Sequence, residues 1–531
     1  LLEKLKTMNY DMRFIFQGSR CLLLKVYQQK EGKLRNRKAR NNIKFYDSYA
    51  LLRFSLDKLT KSFNVEHKKL NFMHNDEKND YEYLYKLYKQ KDKKFYDYIR
   101  NDVLGLHEVL TSFQNTLNSY DGVMSCTIAS SSIKTFQTAY LKNKLEMSSR
   151  KTNDEIKKGY YGGRVEIFKM FADKGKYYCY DVNSLYPYVM FNNPFPISKA
   201  TIINNISNEI IEKRLGITFC KIETPKNLDI PLLPVHHVIN GYSKLVYPVG
   251  KFSGYYANCL LKKAKQLGYK VTPIKGFVFD GDYIFKEYVK KFYELKSKNA
   301  KESVSYITAK LLLNSLYGKF AQSQDSEAIV KISEREDMKN YDIIDVFDFE
   351  HDLFKIKVES KANFFLPAIS VYVTAYSLLH LYSIIEEIVR NNKTIFYCDT
   401  DSVFTNHKFK TSNELGGLKL EYDFDKAYFL LPKTYCVIKN GKPIIKAKGY
   451  MGEFKDNLSE DTFKNALFKK DYSGFTMQTS EPRFNTLKSS FVRHKNFVSM
   501  DFKKKSIHHT YDKRIITDGF NTKPLILSDK D

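Results

Sequence analysis

The spacing of hydrophobic and polar positions predicts most of the elements of this chain. Residues 95–118 follow a helical pattern. Tyr177 to Val182 (YYCYDV) is a short aromatic and β-branched run, which predicts a buried strand. Ser184 then opens a helix, with Leu185, Tyr186 and Val189 at helical spacing and Pro187 tolerated in the first turn. Residues 195–280 combine Pro and Gly with short β-like runs (DIPLLPV, KLVYPVG, KVTPIKGFVF) and predict an inserted, strand-rich subdomain. From Phe285 to Phe320 the pattern is helical and rich in Lys. Glu327–Ser333 and Leu353–Glu359 alternate as two strands around a polar connection, a candidate hairpin. A helix near 368–390 leads into Thr394–Tyr397, then Cys398-Asp399-Thr400-Asp401-Ser402, then Val403-Phe404-Thr405: strand, acidic turn, strand. The most apolar stretch, Phe364 to Val389, is interrupted by Pro367, Ser370, Thr374, His380 and Glu386, so it predicts a buried core helix and not a membrane span.

Composition narrows the class. A chain of 531 residues needs several domains. The 43% hydrophobic and 28% charged content is that of a soluble globular protein. A net charge of +27 points to a polyanionic partner, nucleic acid ahead of membrane, although a generic solubilising surface explains the charge alone equally well. Residues 25–44 are basic and polar, a solvated loop or a hairpin tip. The seven cysteines are scattered without a CxxC pair, which argues against zinc and suits a reducing compartment. Trp is absent while Tyr (40) and Phe (39) abound, a bias that fits AT-rich coding DNA. The chain opens on Leu1-Leu2, which predicts a fragment of a longer protein, and no signal peptide is visible.

Three segments carry chemistry. The first is Asp181-Val182-Asn183-Ser184-Leu185-Tyr186-Pro187, at a strand end. The second is Lys310-x3-Asn314-Ser315-x-Tyr317-Gly318, on a helix; the third is Tyr397-x-Asp399-Thr400-Asp401-Ser402, on a hairpin turn. One acid at a strand end and two at a hairpin tip converge on divalent cations if the strands are neighbours, and hard oxygen ligands suit Mg²⁺. Two such ions about 3.5–4 Å apart activate a primer 3′-hydroxyl and neutralise a leaving pyrophosphate. The plain alternative for the third segment is a solvated acidic turn. Positions 310, 314 and 317 share one helix face, where Lys310 can meet a triphosphate, Tyr317 can stack near a base pair and Gly318 allows close approach. The alternative there is an ordinary amphipathic helix with an exposed Lys.

Together the three segments resemble motifs A, B and C of family B DNA polymerases, in that order, and the chain resembles the protein-primed branch found in phages and linear plasmids. Tyr160-x-Gly162-Gly163 and Lys433-Thr434-Tyr435 resemble two further motifs of that family, and Lys446-x-Lys448-Gly449 is a basic match nearby. The resemblance implies Asp181 and Asp401 as direct ligands of two Mg²⁺ ions (Mn²⁺ as an alternative), with Asp399 beside them and the Val182 carbonyl as an extra ligand. It implies Tyr186 beneath the sugar of the incoming nucleotide, with Ser184 and Leu185 beside it. Lys310, Asn314, Tyr317 and Gly318 form the fingers face that receives that nucleotide. Lys433 and Tyr435 are implied at the primer end, and Thr400 and Lys448 at the DNA. Tyr160, Gly162 and Gly163 form a linker that touches the template, for which a simple turn is the alternative.

Upstream, Tyr98-x3-Asp102 resembles the third proofreading-exonuclease motif, preceded by the stretch 47–59 (DSYALLRFSLDKL). Residues 1–46 hold no convincing Asp-x-Glu, so proofreading is not expected of this chain. The implied architecture is mixed α/β (α+β): a right hand of palm, fingers and thumb behind a partial RNase H-like 3′-5′ exonuclease domain. The expected division is a partial exonuclease at 1–120, linker and first palm part at 121–194, and a strand-rich insertion at 195–285. Fingers at 286–322, a hairpin insertion at 323–362, the second palm part at 363–450 and a thumb at 451–531 complete it. Implied partners are DNA template-primer, dNTPs and a terminal priming protein that meets the first insertion; no membrane is expected. The hairpin insertion, with Val330, Ile332, Phe354, Ile356 and Val358 apolar and Lys331, Lys355 and Lys357 basic, is read as a collar around DNA, or else as a passive surface hairpin. The rival readings are a reverse transcriptase, which tends to carry adjacent acids where Thr400 here separates two, and a non-catalytic DNA-binding relic. A mitochondrial linear plasmid is the expected setting, a cytoplasmic plasmid or phage the alternatives.

Overall fold

The computed structural model describes residues 10–17, 20–28, 42–70, 81–322, 325–331, 342–348, 353–359, 365–450, 452–484, 498–505, 507 and 511–528. Tyr177–Val182 forms the strand its composition predicts, within a five-stranded antiparallel sheet. The order across that sheet is Leu418–Phe424, Tyr177–Val182, Ser402–Thr405, Ile395–Asp399 and Val165–Ile167. Tyr180, Val182, Cys398 and Val403 enter one hydrophobic core, while Cys179, Tyr397 and Phe404 enter another. Successive side chains of a strand point to opposite faces. A sheet covered on both faces therefore needs no polar alternate, which is why these strands read as continuous apolar runs. Fully burying one large apolar side chain contributes about 1.5–3 kcal/mol.

The first core joins this sheet to the insertion and to the helices. The insertion is a second sheet ordered Ile526–Leu527, Val249–Ala257, Leu215–Glu223, Lys270–Phe279, Thr201–Asn204. Its small hairpin, Val235–Ile239 with Tyr242–Val246, turns through Asn240 and Gly241, both at positive φ as a tight two-residue turn requires. The expected helical stretch from 285 to 320 is two helices, Lys286–Lys298 and Val304–Phe320. The break has a local cause: Asn299 is extended, and the Ser303 side chain accepts the Tyr306 N–H as a new N-cap. Helix Pro367–Arg390 is long and apolar enough to cross a membrane by length and composition, but most of its residues are buried in the protein, as expected of a core helix.

The candidate hairpin is corrected in one respect. Asp325–Lys331 and Leu353–Glu359 do pair antiparallel, from Asp325↔Glu359 to Lys331↔Leu353. Where a polar connection was expected, however, a third strand, Asp342–Asp348, pairs with the outer edge of Leu353–Glu359. Its acids recur at every third position between apolar pairs (DIIDVFD), so the period of two that marks a strand is missing. The unit is also not free-standing: Ile15 pairs with Ala328, which joins Tyr10–Gln17, Arg20–Gln28 and Asn42–Tyr46 into one six-stranded sheet. Ile332 and Ser333 lie outside the described residues. The basic stretch 25–44 is bounded by the antiparallel pair Arg20–Gln28 and Asn42–Tyr46, as a hairpin tip should be; 29–41 lie outside the described residues.

A third sheet, ordered Lys442–Ala447, Thr434–Lys439, Lys426–Leu431 and Phe171–Ala172, shares the second core with helix Glu460–Lys469, which a Ser459–Thr462 capping box starts. Met477–Phe484 and Val498–Lys505 pair as a hairpin, and 511–528 then return to the five-stranded sheet.

A candidate metal and nucleotide site

The acids converge because two neighbouring strands end together. Ser402 pairs with Asp181, so Asp401 is one residue beyond the pair, and the Val182 N–H donates to the Asp401 carbonyl at 2.8 Å. The turn between Asp399 and Asp401 is tight: the Asp401 N–H donates to the Asp399 carbonyl at 2.7 Å, and Thr400 at its tip takes a left-handed φ of 63°. The carboxyl of Asp181 is pushed up to about 7, by burial first and then by Asp401 and Glu421, against Lys419 and Lys296. That of Asp401 is pushed up to about 6, by burial first, with Asp399 adding to it against a backbone amide and Lys433. Two half-buried carboxylates with incomplete cationic balance form a hard, oxygen-only donor set, which fits Mg²⁺ or Mn²⁺. The Asp399 carboxylate is instead engaged by Lys433 and Tyr397. Lys433 Nζ contacts its two oxygens at 2.6 and 2.8 Å, and the Tyr397 hydroxyl donates to it at 3.2 Å.

These shifts set a pH dependence. A metal binds the ionised carboxylate, so binding must displace the proton that Asp181 still carries near pH 7. The expected outcome is a Mg²⁺ affinity about tenfold weaker at pH 6 than at pH 8, from the Asp181 ionised fraction alone. Calorimetric Mg²⁺ titration in two buffers of different ionisation enthalpy checks this through the protons released.

The second segment faces the first. On helix Val304–Phe320, Ile307, Leu312, Leu313, Leu316 and Phe320 are buried, while Lys310, Asn314 and Gly318 are exposed on the other side. Tyr317 stacks on Tyr186, ring centroids 4.2 Å apart and planes 29° apart. Tyr160 joins these rings: burial, with Tyr317 adding, pushes its hydroxyl up to about 12. Among the described residues, and leaving aside the chain neighbours and the helix's own backbone, no atom stands within 4 Å of a Cβ placed on Gly318 or Gly162. Ser184 opens the helix Leu185–Asn192 but does not cap it. It sits at φ 58° and ψ 55° with no capping hydrogen bond, and its Oγ lies 2.7 Å from Lys296 Nζ. Leu185 is buried.

Lys296 was not singled out by the sequence. It comes from the preceding helix, Lys286–Lys298, and its ammonium is held below its usual range by burial first and then by Lys310. Two lysines from two helices thus bring positive charge to one place. Lys296 stands in a Lys-rich stretch (KKFYELKSK) where nothing local distinguishes it.

The remaining expected contacts surround the turn. Gly163 packs on Thr400 so closely that a Cβ there would lie 2.5 Å from Thr400 Oγ1. Lys433 (φ 62°) donates its N–H to the Tyr397 hydroxyl at 2.9 Å. Tyr435 is buried among Tyr397, Phe404 and Phe429. Lys448 is exposed, with its N–H on the Lys433 carbonyl at 3.1 Å.

Tyr98 and Asp102 share a face of helix Lys93–Asn118. Lys69 Nζ meets both, 2.9 Å from the Tyr98 hydroxyl and 2.8 Å from Asp102 Oδ2. This ion pair offsets the charge a metal needs there. The expected result is no metal-dependent 3′→5′ degradation of single-stranded DNA by this chain. Degradation lost in Asp102→Ala contradicts it.

A family model described as DNA polymerase type B, organellar and viral, matches residues 2–366. The chain is 31% identical over 512 residues to the "Probable DNA polymerase" of Neurospora intermedia, covering 84% of this chain and 52% of that protein. It is 29% identical over 538 residues to the "Probable DNA polymerase" of Podospora anserina, covering 87% of this chain and 43% of that one. The DNA polymerase of Bacillus phage phi29 is 25% identical over 475 residues, with coverage of 84% and 75%. The chain therefore spans about half the length of the fungal relatives it matches. Phi29 DNA polymerase in complex with primer-template DNA and incoming nucleotide superposes with a TM-score of 0.70 at 20% identity, covering 96% of this chain and 88% of that one. The fold is accordingly a mixed α/β right hand.

Proposed function

The chain belongs to the organellar and viral family of type B DNA polymerases, and from that premise we propose that it copies a DNA template by adding deoxynucleotides to a primer 3′-hydroxyl. The observation that carries this reading is the meeting of Asp181 and Asp401 beside a Tyr186–Tyr317 stack and two lysines, Lys296 and Lys310. Asp181, Asp401 and the Val182 carbonyl would hold two divalent ions. When bound, these supply a Lewis acid for the attacking hydroxyl and for the leaving pyrophosphate.

The protein's own groups do the rest. Lys296 and Lys310 balance the triphosphate and hold it in line; burial makes the Lys296 charge count for more than it would in water. The Lys433–Asp399 pair fixes the turn that carries Asp401, and places a cation where the primer end arrives. Tyr186, braced by Tyr317, forms a rigid floor beneath the sugar. Such a floor rejects a ribose hydroxyl by contact. Tyr186→Val is therefore expected to raise ribonucleotide use relative to deoxyribonucleotide, by about ten- to a hundredfold in the ratio of kcat/KM. An unchanged ratio removes the gate.

The same reading extends to the surroundings. The strand-rich insertion at 195–285 is assigned to contact with a terminal priming protein, the pair of helices at 286–322 to the fingers, and 451–531 to the thumb. The setting we assign is a linear plasmid, in mitochondria, which accords with the Tyr-, Phe-, Lys- and Asn-rich composition and the fungal relatives. Primer extension on matched DNA and RNA templates tests the core of the assignment.

A further inference from the structure

Three charged side chains are buried together one strand away from the acidic turn. Arg164, Glu166 and Arg514 are 1%, 0% and 3% exposed. Arg164 Nε donates to Glu166 Oε2 at 2.7 Å and its Nη1 to the Pro231 carbonyl at 2.8 Å. Arg514 Nη1 stands 3.7 Å from the other Glu166 oxygen. Its Nε donates to Thr522 Oγ1 and its Nη2 to the Asp229 carbonyl, each at 2.8 Å. Glu166 Oε1 and Arg514 Nη1 have no hydrogen-bond partner among the described residues, so the Arg514 charge is what faces that oxygen. Apolar side chains of similar size often serve stability as well or better at such places. A reason other than stability is therefore worth seeking.

The hydrogen bonds supply one. Strand Val165–Ile167 is an edge of the five-stranded sheet, and its two sides meet different things. On one side is the acidic hairpin: Asp399 pairs with Val165, Cys398 with Glu166, and the Thr400 N–H donates to the Arg164 carbonyl at 2.7 Å. On the other is the returning C-terminal segment. The Ile167 N–H donates to the Tyr511 hydroxyl at 3.1 Å, and Thr522 bonds the Phe168 carbonyl through its N–H at 2.9 Å and the Ile167 carbonyl through its Oγ1 at 2.7 Å. Arg514 belongs to that segment, and its guanidinium lies 4.9 Å over the Phe168 ring. A series of contacts thus runs from the C-terminal segment to the residue between the two acids: the 3.7 Å approach of Arg514 to Glu166, the Arg164–Glu166 hydrogen bond, and the Arg164 carbonyl on the Thr400 N–H.

We propose that Arg514 is a positioning residue for the acidic turn: the C-terminal segment acts as a strap that, through Glu166 and Arg164, sets where Thr400 and Asp401 stand. The proposal rests on the polymerase reading for its consequence in catalysis. A site of this kind is sensitive to displacements below an ångström. Loosening the strap therefore lowers the rate and raises the metal requirement without removing any group that touches DNA.

Arg514→Met keeps a long side chain on Phe168 and removes the charge. Single-turnover addition of one dNTP is measured against Mg²⁺ concentration, per molecule of bound primer-template. The expected result is a rate at saturating Mg²⁺ about tenfold lower, a half-maximal Mg²⁺ concentration several-fold higher, and a primer-template Kd within about twofold of wild type. A merely structural role would lower the melting temperature and the active fraction, leaving rate per bound DNA and Mg²⁺ requirement as in wild type; that outcome overturns the proposal. If the Met variant does not fold, Arg514→Lys decides, because it keeps the charge and loses the planar fork: an intermediate rate and Mg²⁺ requirement support the proposal, and wild-type values overturn it. If the wild-type chain extends no primer, the polymerase reading fails separately. Mn²⁺ binding, read by paramagnetic relaxation of water, then tests the strap alone, with weaker binding expected in either Arg514 variant and equal binding counting against it.

Discussion

Asp181→Asn and Asp401→Asn are each expected to lower single-turnover nucleotide addition by about a thousandfold or more, roughly 4 kcal/mol, with primer-template affinity changed by no more than about twofold. Asp181 pairs with Ser402, the neighbour of Asp401, at one end of a sheet buried on both faces, so the substitution changes charge without moving backbone. Their carboxyls are raised to about 7 and about 6, mainly by burial and then by neighbouring acids. Removing Asp401 relieves Asp181: in Asp401→Asn the Asp181 carboxyl should fall towards its ordinary range, and the metal-free protein should become more stable above pH 7. The sign follows from linkage, since a carboxyl raised in the folded state costs stability as it ionises. A variant that loses activity together with stability at pH 8 would point to damage elsewhere. Extension at the wild-type rate by either variant removes the two acids from the chemistry.

Gly163→Ala is expected to lower the addition rate about a hundredfold. A Cβ on this residue would lie 2.5, 2.7 and 3.0 Å from Thr400 Oγ1, Cγ2 and Cβ. Thr400 cannot yield easily. It is β-branched, its backbone is left-handed, and its N–H is held by the Arg164 carbonyl at 2.7 Å. The turn must therefore move, and with it Asp401; overpacking of this size costs about 1–3 kcal/mol, and a shift near 1 Å is enough for a hundredfold in rate. Thr400→Gly removes the clashing atoms and tolerates the same φ. In that background Gly163→Ala should cost less than about threefold. A full hundredfold loss in both backgrounds would mean that the glycine serves an approach by the template and not the packing of the turn.

Much of this site was legible because its information is local. YYCYDV declared a doubly covered strand, and Asp399-Thr-Asp401 between two short apolar runs declared a hairpin tip. The face of Lys310, Asn314 and Tyr317 followed from helical spacing, and the structure leaves the Lys310 and Asn314 side exposed. What escaped depends on distant partners. Lys296 looks like any lysine of a basic helix until the fold sets it on Ser184. Ser184 looked like a helix cap, yet a left-handed backbone turns its hydroxyl elsewhere. Nothing local marks Arg164 and Glu166 as buried, because the segment that packs on their side of the sheet meets it at Tyr511, 344 residues beyond Ile167. Asp342–Asp348 escaped because acids at every third place suggest a solvated connection rather than a sheet edge.

The most direct test of the account is rapid-quench extension of a labelled DNA primer on a DNA template by this chain, with Mg²⁺ and the next correct dNTP, beside the same primer on an RNA template. The expected result is templated addition that requires Mg²⁺, prefers the DNA template, and disappears in Asp401→Asn while DNA binding persists. Binding of primer-template without any Mg²⁺- or Mn²⁺-dependent addition would contradict it.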